Sequence, residues 1–395
     1  MGIDKTYHGY KAFSYVKAGK DYEPVPLPEK GDQIFPWHIY PLNPDQEARY
    51  KELAESTIMI SSHEHASLWP NDIPTYGDKY FGQGRTFIDY ESLSHSIWDG
   101  VFNTINTSHP TSKKGRKFDD IVYELGFTLC DIAQQDDVIL CLKADDVIRA
   151  HKEHKVALSM HIECGDWIEN EEDRVEVLYG LGLKSFGLSY ANSNYICSGI
   201  RERRDGVLTE LGRKVVAKMN AVGMIVDTAH TSVNSKMDII EASTKPVMLS
   251  HCGAQALIPE SITSTPDFVF KAMADKGGVI GVTACPNSLV SKKHPKCDIE
   301  AVMEHFEHVR NLVGDDCVCF GLDTIYTDHA AMHTASGHPG PDWKYEWTPY
   351  CSGLENASEG SINILRWLIA HDYSDETIKK VCGGNMLRLM RECWG

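Results

Sequence analysis

Short apolar segments alternate with amphipathic segments along the chain from about residue 57 onward. The candidate strands are TIMISSHEH, GVFNTINTS, VALSMHIE, SFGLSY, GMIVDTAH, PVMLSH, GGVIGVTA and VCFGLD, and the candidate helices lie at 119–134, 171–182, 209–222, 232–243, 265–276 and 298–313. Such alternation, with strands that are almost continuously apolar, predicts a parallel sheet covered by helices. The count of eight strands favours an α/β fold of the (β/α)8 TIM barrel type, with a doubly wound open sheet as the alternative.

The start of the chain and two long connections differ from this pattern. Residues 1–50 are rich in Pro, Lys and aromatic residues without a sustained period, which predicts an extended arm on a barrel formed by residues 51–395. The connections at 66–100 and 326–360 are long, and the second contains His329, His333, His338, Trp343 and Trp347. Because long loops after barrel strands usually build the substrate pocket, both connections are predicted to be lids.

Metal-ligand or acid–base residues stand at the ends of five candidate strands: His63, His65, Glu163, His230, His251 and Asp323. Residues two apart on a strand share a face, so His63 and His65 are expected to project together. All parallel strands of a barrel end at one rim, where residues distant in sequence converge. One histidine at a strand end is commonly a structural residue, but this set predicts a metal site at the C-terminal rim.

The donor types indicate how such a site would work. Imidazole and carboxylate without thiolate suit zinc, with manganese, iron or cobalt as alternatives. Glu163 is placed to bridge two ions, with His63 and His65 on one and His230 and His251 on the other. A bound water would ionise near neutral pH and give a hydroxide nucleophile. Asp323 is then the proton shuttle to the leaving amine, or else a helix N-cap within GLDT.

Three other features near the strand ends receive weaker interpretations. His161 lies two residues before Glu163 and is either a replacement ligand or a polar residue of the barrel interior. Cys252 follows His251 without a neighbour that marks it as activated, so a packed thiol is expected. The basic run RERRD, residues 201–205, is typical of a solvated loop, with the binding of an anionic substrate as the alternative.

Composition narrows the partners to small molecules. The formal net charge of −17 argues against nucleic acid or an anionic membrane as the main partner. No apolar run is long enough to cross a bilayer, and the first residues lack the apolar region of a secretory signal, so a cytoplasmic protein is predicted. The twelve cysteines form no C-x-x-C pair and are interpreted as reduced core thiols.

At these residues the sequence resembles the membrane (renal-type) dipeptidase family, the M19 metallopeptidases, which belong with the amidohydrolase-like metal-dependent barrels. The similarity runs from about residue 57 to the C-terminus and is most specific in GVLTELGRKVVAKMNAVGMIVDTAHTS, PVMLSHCGAQAL, HFEHVRNLVGDDCVCFGLD and GGNMLRLM. The resemblance implies a binuclear zinc site that hydrolyses dipeptides, commonly in a homodimer. It makes His63 a ligand of the first metal, Glu163 the bridge, His230 and His251 ligands of the second metal, and Asp323 the catalytic aspartate.

The sequence departs from the family pattern at three positions. The family's first strand normally ends in H-x-D, whereas this chain has His65 in place of the aspartate. Tyr190 stands where the family has a substrate-orienting histidine, and it can donate a hydrogen bond to a developing oxyanion. Counting places Ile262 where the family has the arginine that grips the free carboxylate of a dipeptide. The bidentate clamp on that carboxylate is therefore missing.

These observations predict a metal-dependent hydrolase that cleaves a small amide or peptide C–N bond with a metal-bound hydroxide, on a substrate other than a standard dipeptide. Tyr190, Arg201, Arg204 and Tyr326 are the predicted substrate-binding residues. The alternatives are a genuine dipeptidase, a metal-dependent decarboxylase that shares the barrel, and a non-catalytic binding relative. Detection of carbon dioxide instead of an amine would separate the decarboxylase from the hydrolase.

Overall fold

A closed barrel of parallel strands forms the centre of the molecule. The computed structural model describes residues 5–105, 117–335 and 344–394. The strands in these ranges are β1 (Ile60–Leu68), β2 (Gly100–Thr104), β3 (Val138–Leu140), β4 (Val156–Ile162), β5 (Leu183–Gly187), β6 (Ile225–Asp227), β7 (Met248–Cys252), β8 (Val279–Val282), β9 (Val318–Phe320) and β10 (Ile325–Tyr326). Their order is β1, β2, β4, β5, β6, β7, β8, β9, and β9 pairs back with β1 between Phe320 and Ser61. This closure confirms the predicted (β/α)8 barrel and excludes the open sheet.

Helices cover the outside of the barrel between successive strands. They are α1 (Pro44–Ser56), α2 (Ile73–Phe81), α3 (Tyr90–Ser94), α4 (Phe118–Ile132), α5 (Ala144–Lys152), α6 (Arg174–Gly180), α7 (Glu210–Val222), α8 (Val233–Ala242), α9 (Asp267–Asp275), α10 (Ile299–Val313), α11 (His329–Ala335), α12 (Ala357–Ala370), α13 (Asp375–Lys379) and α14 (Asn385–Trp394). The side chains of Thr209, Ser232 and Asp298 each cap the first turn of a predicted helix by accepting a backbone N–H three residues later. The six predicted helices correspond to α4, α6, α7, α8, α9 and α10, and each begins within three residues of its predicted start.

Two short strands and several helices lie where the sequence pattern predicts no element; the helices include α1, α2, α3, α5 and α11. β3 pairs in parallel with the first half of β4, and β10 pairs with the end of β1. Helix α5 lies between β3 and β4, within a stretch that the sequence pattern left unassigned. Strands of two or three residues are too short to show a hydrophobic period, which explains why the pattern did not reveal them.

Small residues fill the centre of the barrel below the rim. Ser62 Oγ donates to the carbonyl oxygen of Ser250, at 2.6 Å, and so links β1 to β7 across the interior. A Cβ atom added at Gly281 or at Gly321 would lie 2.0 Å from that same carbonyl oxygen. Both positions therefore require glycine because the serine pair occupies the space that a side chain would need.

The N-terminal residues lie across the barrel helices. Lys5 Nζ donates to Asp99 Oδ1 at 2.5 Å, and the backbone N–H of Tyr40 donates to Asn363 Oδ1 at 2.8 Å. The predicted division at residue 50 falls inside α1, so the helix Pro44–Ser56 spans it. The separate arm stays a prediction, and any such arm would end before Pro44.

The two long connections contain secondary structure of their own. The first carries α2 and α3, and the second carries α11, while His338 and Trp343 lie outside the described residues. Their role as lids stays a prediction. The twelve cysteines, all within the described ranges, form no disulfide, and only Cys130 among them is exposed. No helix in the described part of the chain has the length and apolar character needed to span a membrane.

Candidate metal centre

The middle of β1 delivers two imidazoles to one rim of the barrel. Alternate side chains of a strand point to opposite faces, so His63 and His65 share a face and Glu64 points away from them. The ring centroids of His63 and His65 are 5.2 Å apart. Glu64 instead accepts hydrogen bonds from Ser61 Oγ (2.8 Å) and Thr324 Oγ1 (2.6 Å). The two histidines of the H-E-H segment therefore belong to the site, whereas its glutamate is hydrogen-bonded to the surrounding structure.

The Glu163 carboxylate, directly after β4, lies among four imidazoles. Its Oε1 atom is 3.4 Å from His63 Nε2, 3.3 Å from His230 Nε2 and 4.0 Å from His251 Nε2. Its Oε2 atom is 3.7 Å from His65 Nε2. Glu163 thus occupies the central position of the cluster, where the sequence predicted a bridging ligand.

Asp323, three residues after the end of β9, completes the cluster. Its Oδ1 atom lies 3.4 Å from both His63 Nε2 and His65 Nε2. Its backbone has a φ of 56°, and that of His230 has a φ of 59°, so both residues adopt the left-handed conformation. For residues other than glycine this conformation is strained, and such strain concentrates at functional sites.

The distances in the cluster fit a divalent cation. One donor atom from each of His63, Glu163, His251 and Asp323 lies within 4.8 Å of the others. Two ligands on a zinc tetrahedron, with bonds of about 2.0–2.2 Å, are about 3.4 Å apart. The separations of 3.3–3.4 Å around Glu163 and Asp323 match this edge. In addition, His63 Nε2 and Glu163 Oε2 are buried polar atoms without a hydrogen-bond partner among the described residues, which a bound cation would satisfy.

A hydrogen-bonded chain orients His251 toward the cluster. Ser250 Oγ donates to Asp227 Oδ2 at 2.6 Å and lies 3.0 Å from His251 Nδ1. Because the Ser250 hydroxyl donates its proton to Asp227, the Ser250 oxygen can accept a hydrogen bond from Nδ1–H of His251. The lone pair on His251 Nε2 then faces the cluster. That Nε2 atom is 2.9 Å from His230 Nε2, about the separation of two ligands at right angles on one ion.

Burial and charge act in opposite directions on these groups. Burial favours protonation of Glu163 and Asp323, but the neighbouring imidazoles outweigh it and hold the pKa of both carboxyls well below the usual range. Burial disfavours the charged form of His63, yet the carboxylates of Asp323 and Glu163 raise its pKa to about 10. Burial and the charge on His63 lower the pKa of His251 to about 3. Ionised carboxylates beside imidazoles are the state in which a cation can displace the imidazole protons.

His161 belongs to the barrel interior beneath the cluster. Its Nδ1 lies 2.8 Å from Ser185 Oγ, and its Nε2 lies 3.5 Å from Asp227 Oδ2. The ring packs edge-on against His63, with centroids 5.3 Å apart. Burial lowers the pKa of His161 well below its usual value, so the imidazole is neutral. Of the two interpretations drawn from the sequence, the structure favours the interior one.

Tyr190 lies beside the cluster, and the backbone N–H of Arg201 donates to the carbonyl oxygen of Ala191, the residue after Tyr190, at 2.8 Å. The Tyr190 ring packs against His230 with centroids 4.2 Å apart. Burial and the carboxylates of Glu163 and Asp323 raise the pKa of Tyr190 well above its usual value, and the charge of exposed Arg201 opposes that rise. The phenol is therefore protonated, the state in which a tyrosine hydroxyl donates a hydrogen bond.

The remaining predicted residues lie elsewhere. Arg204 is exposed on the turn after Arg201. Tyr326 is fully buried, and its hydroxyl lies 2.8 Å from Ser358 Oγ, so the structure does not bring it to the cluster as the substrate-binding prediction required. Cys252 is buried, and burial raises the pKa of its thiol, as expected for a packed cysteine.

A second group of potential metal-donor atoms was not predicted from the sequence. Cys285, His329 and His333 place one potential ligand atom each within 4.8 Å of one another. The four-residue spacing of the two histidines was a usable signal, since it places both on one face of a helix. The third residue, Cys285, follows a different strand, and no local sequence pattern links it to the two histidines.

Comparison with known sequences identifies relatives of the chain. The family described as "Membrane dipeptidase (Peptidase family M19)" matches residues 47–335. The protein "Dipeptidase tcpJ" of Claviceps purpurea is 28% identical over 77% of this chain and 69% of its own length. Rat "Dipeptidase 3" is 24% identical over 67% of this chain and 54% of its own length.

Solved structures show the same fold. An amidohydrolase from Pseudomonas aeruginosa aligns with a TM-score of 0.69 at 25% identity, covering 87% of this chain and 98% of its own. A metallopeptidase from Rhodobacter sphaeroides, liganded with a phosphinate mimic of the dipeptide L-Ala-D-Ala, aligns with a TM-score of 0.67 at 19% identity, covering 86% of this chain and 100% of its own.

Proposed function

The chain belongs to the membrane dipeptidase family, peptidase family M19, and from this premise we propose that it hydrolyses a small amide other than a standard dipeptide, with zinc as its metal. Membership makes it a metal-dependent, dipeptidase-like hydrolase of peptide or amide bonds. The convergence of donor atoms from four strand ends within 4.8 Å carries the proposal. Imidazole and carboxylate donors favour zinc over softer metals. The homo-oligomer and the cytoplasmic location stay predictions.

In this proposal the metal is held by His63, His65, Glu163, His230 and His251, with Glu163 between the two histidine pairs. When bound, the metal polarises the substrate carbonyl and lowers the pKa of water. The chain supplies the remaining functions, which are proton transfer, orientation and recognition.

Asp323 is the proposed proton shuttle. Its carboxylate is ionised because the neighbouring imidazoles hold its pKa low, so it can accept a proton from the attacking water and then give it to the leaving amine. Tyr190, packed on His230 at the edge of the cluster, is the proposed donor to the carbonyl oxygen. Tyrosine can donate this hydrogen bond but carries no positive charge, unlike a protonated histidine.

The substrate proposal depends on a missing anchor. Ile262 is 64% exposed and stands where the family resemblance places a carboxylate-gripping arginine. A charge-assisted pair of this kind contributes about 1.5–3 kcal/mol, or about 10- to 100-fold in affinity. A free dipeptide would therefore bind weakly at this end. Arg201, whose backbone is hydrogen-bonded to Ala191 directly after Tyr190, is the candidate replacement anchor for an acidic group placed differently in the substrate.

A comparison of kcat/KM across substrate classes tests the proposal. The zinc-loaded protein is assayed for amine release from dipeptides, N-acyl amino acids and cyclic amides, with His230→Ala as the control for the metal centre. Preference for an N-acyl or cyclic amide supports the proposal, and preference for standard dipeptides overturns its substrate assignment. Arg201→Ala should raise KM more than Arg204→Ala, because Arg201 is the one hydrogen-bonded to the residue after Tyr190; equal KM values would remove Arg201 as the anchor.

A genuine dipeptidase is the second candidate, favoured by the names of the curated relatives. In that case dipeptides would be the best substrates despite the missing arginine. The same assay also separates the decarboxylase, which would release carbon dioxide and no amine. A non-catalytic relative would show no turnover in either readout.

A further inference from the structure

A cysteine and two histidines form a compact group near Asp323 that the hydrolytic centre does not use. Cys285 Sγ lies 3.5 Å from His333 Nε2 and 4.0 Å from its Nδ1. The rings of His329 and His333 meet edge-on, with centroids 4.7 Å apart. One donor atom from each of the three residues lies within 4.8 Å of the other two.

The fold brings these residues together from two separate strand connections. Cys285 lies three residues after β8, where its backbone N–H donates to Thr283 Oγ1 at 3.1 Å. His329 and His333 are four residues apart on α11 and therefore project from the same side of that helix. Cys285 and His329 are buried, with 9% and 2% exposure, while His333 is partly exposed.

The geometry matches a thiolate–imidazole metal site. With a Zn–S bond of about 2.3 Å and a Zn–N bond of about 2.0–2.1 Å, a sulfur and a nitrogen on neighbouring corners of a tetrahedron are about 3.5 Å apart. The observed Cys285 Sγ to His333 Nε2 distance equals this edge. Paired histidines one helical turn apart are a common way to hold zinc, and a thiolate adds selectivity for thiophilic ions.

Two simpler interpretations explain the group less well. A nucleophilic cysteine would need a lowered pKa, but burial and the nearby Asp323 carboxylate raise the pKa of the Cys285 thiol well above its usual value. Hydrophobic packing alone does not account for an imidazole nitrogen 3.5 Å from a buried sulfur atom with a second imidazole donor within 4.8 Å of both. A cation bound by all three residues accounts for both observations.

We propose that Cys285, His329 and His333 form a separate site for one thiophilic divalent cation, zinc. On binding, the thiol proton passes to solvent and the resulting thiolate donates an electron pair to the ion. The ion would tie α11 to the connection after β8 at the rim of the barrel. This inference goes beyond the proposed function and does not depend on amide hydrolysis.

Cobalt substitution tests the site without an activity measurement. The hydrolytic centre has only nitrogen and oxygen donors, so a near-ultraviolet thiolate-to-cobalt charge-transfer band in the Co²⁺-loaded full chain reports the Cys285 site alone. We expect the band, and one equivalent of bound cobalt, to be lost in Cys285→Ser and in His333→Gln. The second variant changes a partly exposed side chain, so it preserves a readout if Cys285→Ser fails to fold.

Two controls separate this site from other thiols and from the hydrolytic centre. Cys130→Ser removes the exposed thiol on α4 and should keep the band. His230→Ala damages the hydrolytic centre and should also keep it. A band that survives Cys285→Ser, or no band in the unchanged protein, overturns the proposal. If the protein shows the band but releases no amine from any substrate, the Cys285 site is supported and only the proposed hydrolytic function is wrong.

Discussion

Replacement of Gly281 by alanine should disturb the metal centre through the barrel interior. The new Cβ would lie 2.0 Å from the Ser250 carbonyl oxygen and 2.5 Å from Ser62 Oγ. Ordinary contact needs about 3.5 Å, so β7 and β8 must separate by about 1 Å or more. Ser250 precedes His251 and its hydroxyl faces the Nδ1 atom of that ring, so the shift is transmitted to a predicted metal ligand.

Two magnitudes follow from this overlap. Overpacking of a closed core costs about 1–3 kcal/mol. For 395 residues the unfolding entropy is about 0.8 kcal/mol per kelvin, so the melting temperature should fall by about 1–4 °C. A misplacement of about 1 Å at a catalytic group can cost about 100-fold in rate, so hydrolysis should suffer far more than stability. Calorimetry and a kcat/KM measurement on the zinc-loaded protein check the two expectations separately.

Gly126→Ala is the matched control for this substitution. Gly126 lies on the exposed side of α4, and an added Cβ there meets no atom within 4 Å. Alanine in the middle of a helix should stabilise the protein by about 0.5–1 kcal/mol, the opposite direction. If Gly281→Ala kept native stability and native kcat/KM, or if Gly126→Ala were equally damaging, the steric explanation of the barrel interior would be wrong.

Three further predictions concern recognition, chemistry and pH. Ile262→Arg should improve kcat/KM for dipeptides about 10-fold or more, because it restores a carboxylate clamp. Val177→Arg, at another exposed aliphatic position, is the control and should leave kcat/KM unchanged. Equal effects of the two substitutions would refute the clamp. Asp323→Asn should lower kcat by about 10²- to 10⁴-fold while metal content measured by elemental analysis stays constant, and unchanged kcat would exclude it as the shuttle. Burial lowers the pKa of His305 from 6.5 in the unfolded chain to about 4 in the folded protein. Between pH 6.5 and about pH 4 the unfolded chain therefore binds a proton at this histidine that the folded protein does not bind. The free energy of unfolding falls as the pH is lowered through this range. The loss is roughly 3 kcal/mol, and urea unfolding of His305→Gln should show a correspondingly flatter pH dependence than the unchanged protein.

The sequence by itself determined the barrel and indicated which residues cluster at its rim. The eight apolar segments coincide with the eight barrel strands, because buried parallel strands require continuous apolar residues and short connections leave few other topologies. The sequence placed a set of residues near the ends of these segments, and closure of the barrel brings strand ends to one rim. The set is His63, His65, Glu163, His230, His251 and Asp323.

Only the tertiary structure determined which side chains from different loops contact one another around the rim. Tyr326 stands at a strand end as Asp323 does, yet its hydroxyl packs on Ser358, since the direction of a side chain depends on its neighbours in space. Cys285 and His333 lie in different connections, and their 3.5 Å contact follows from how α11 folds over the barrel. Strand periodicity carries information along the chain, whereas contacts between loops depend on closure and packing that no local pattern encodes.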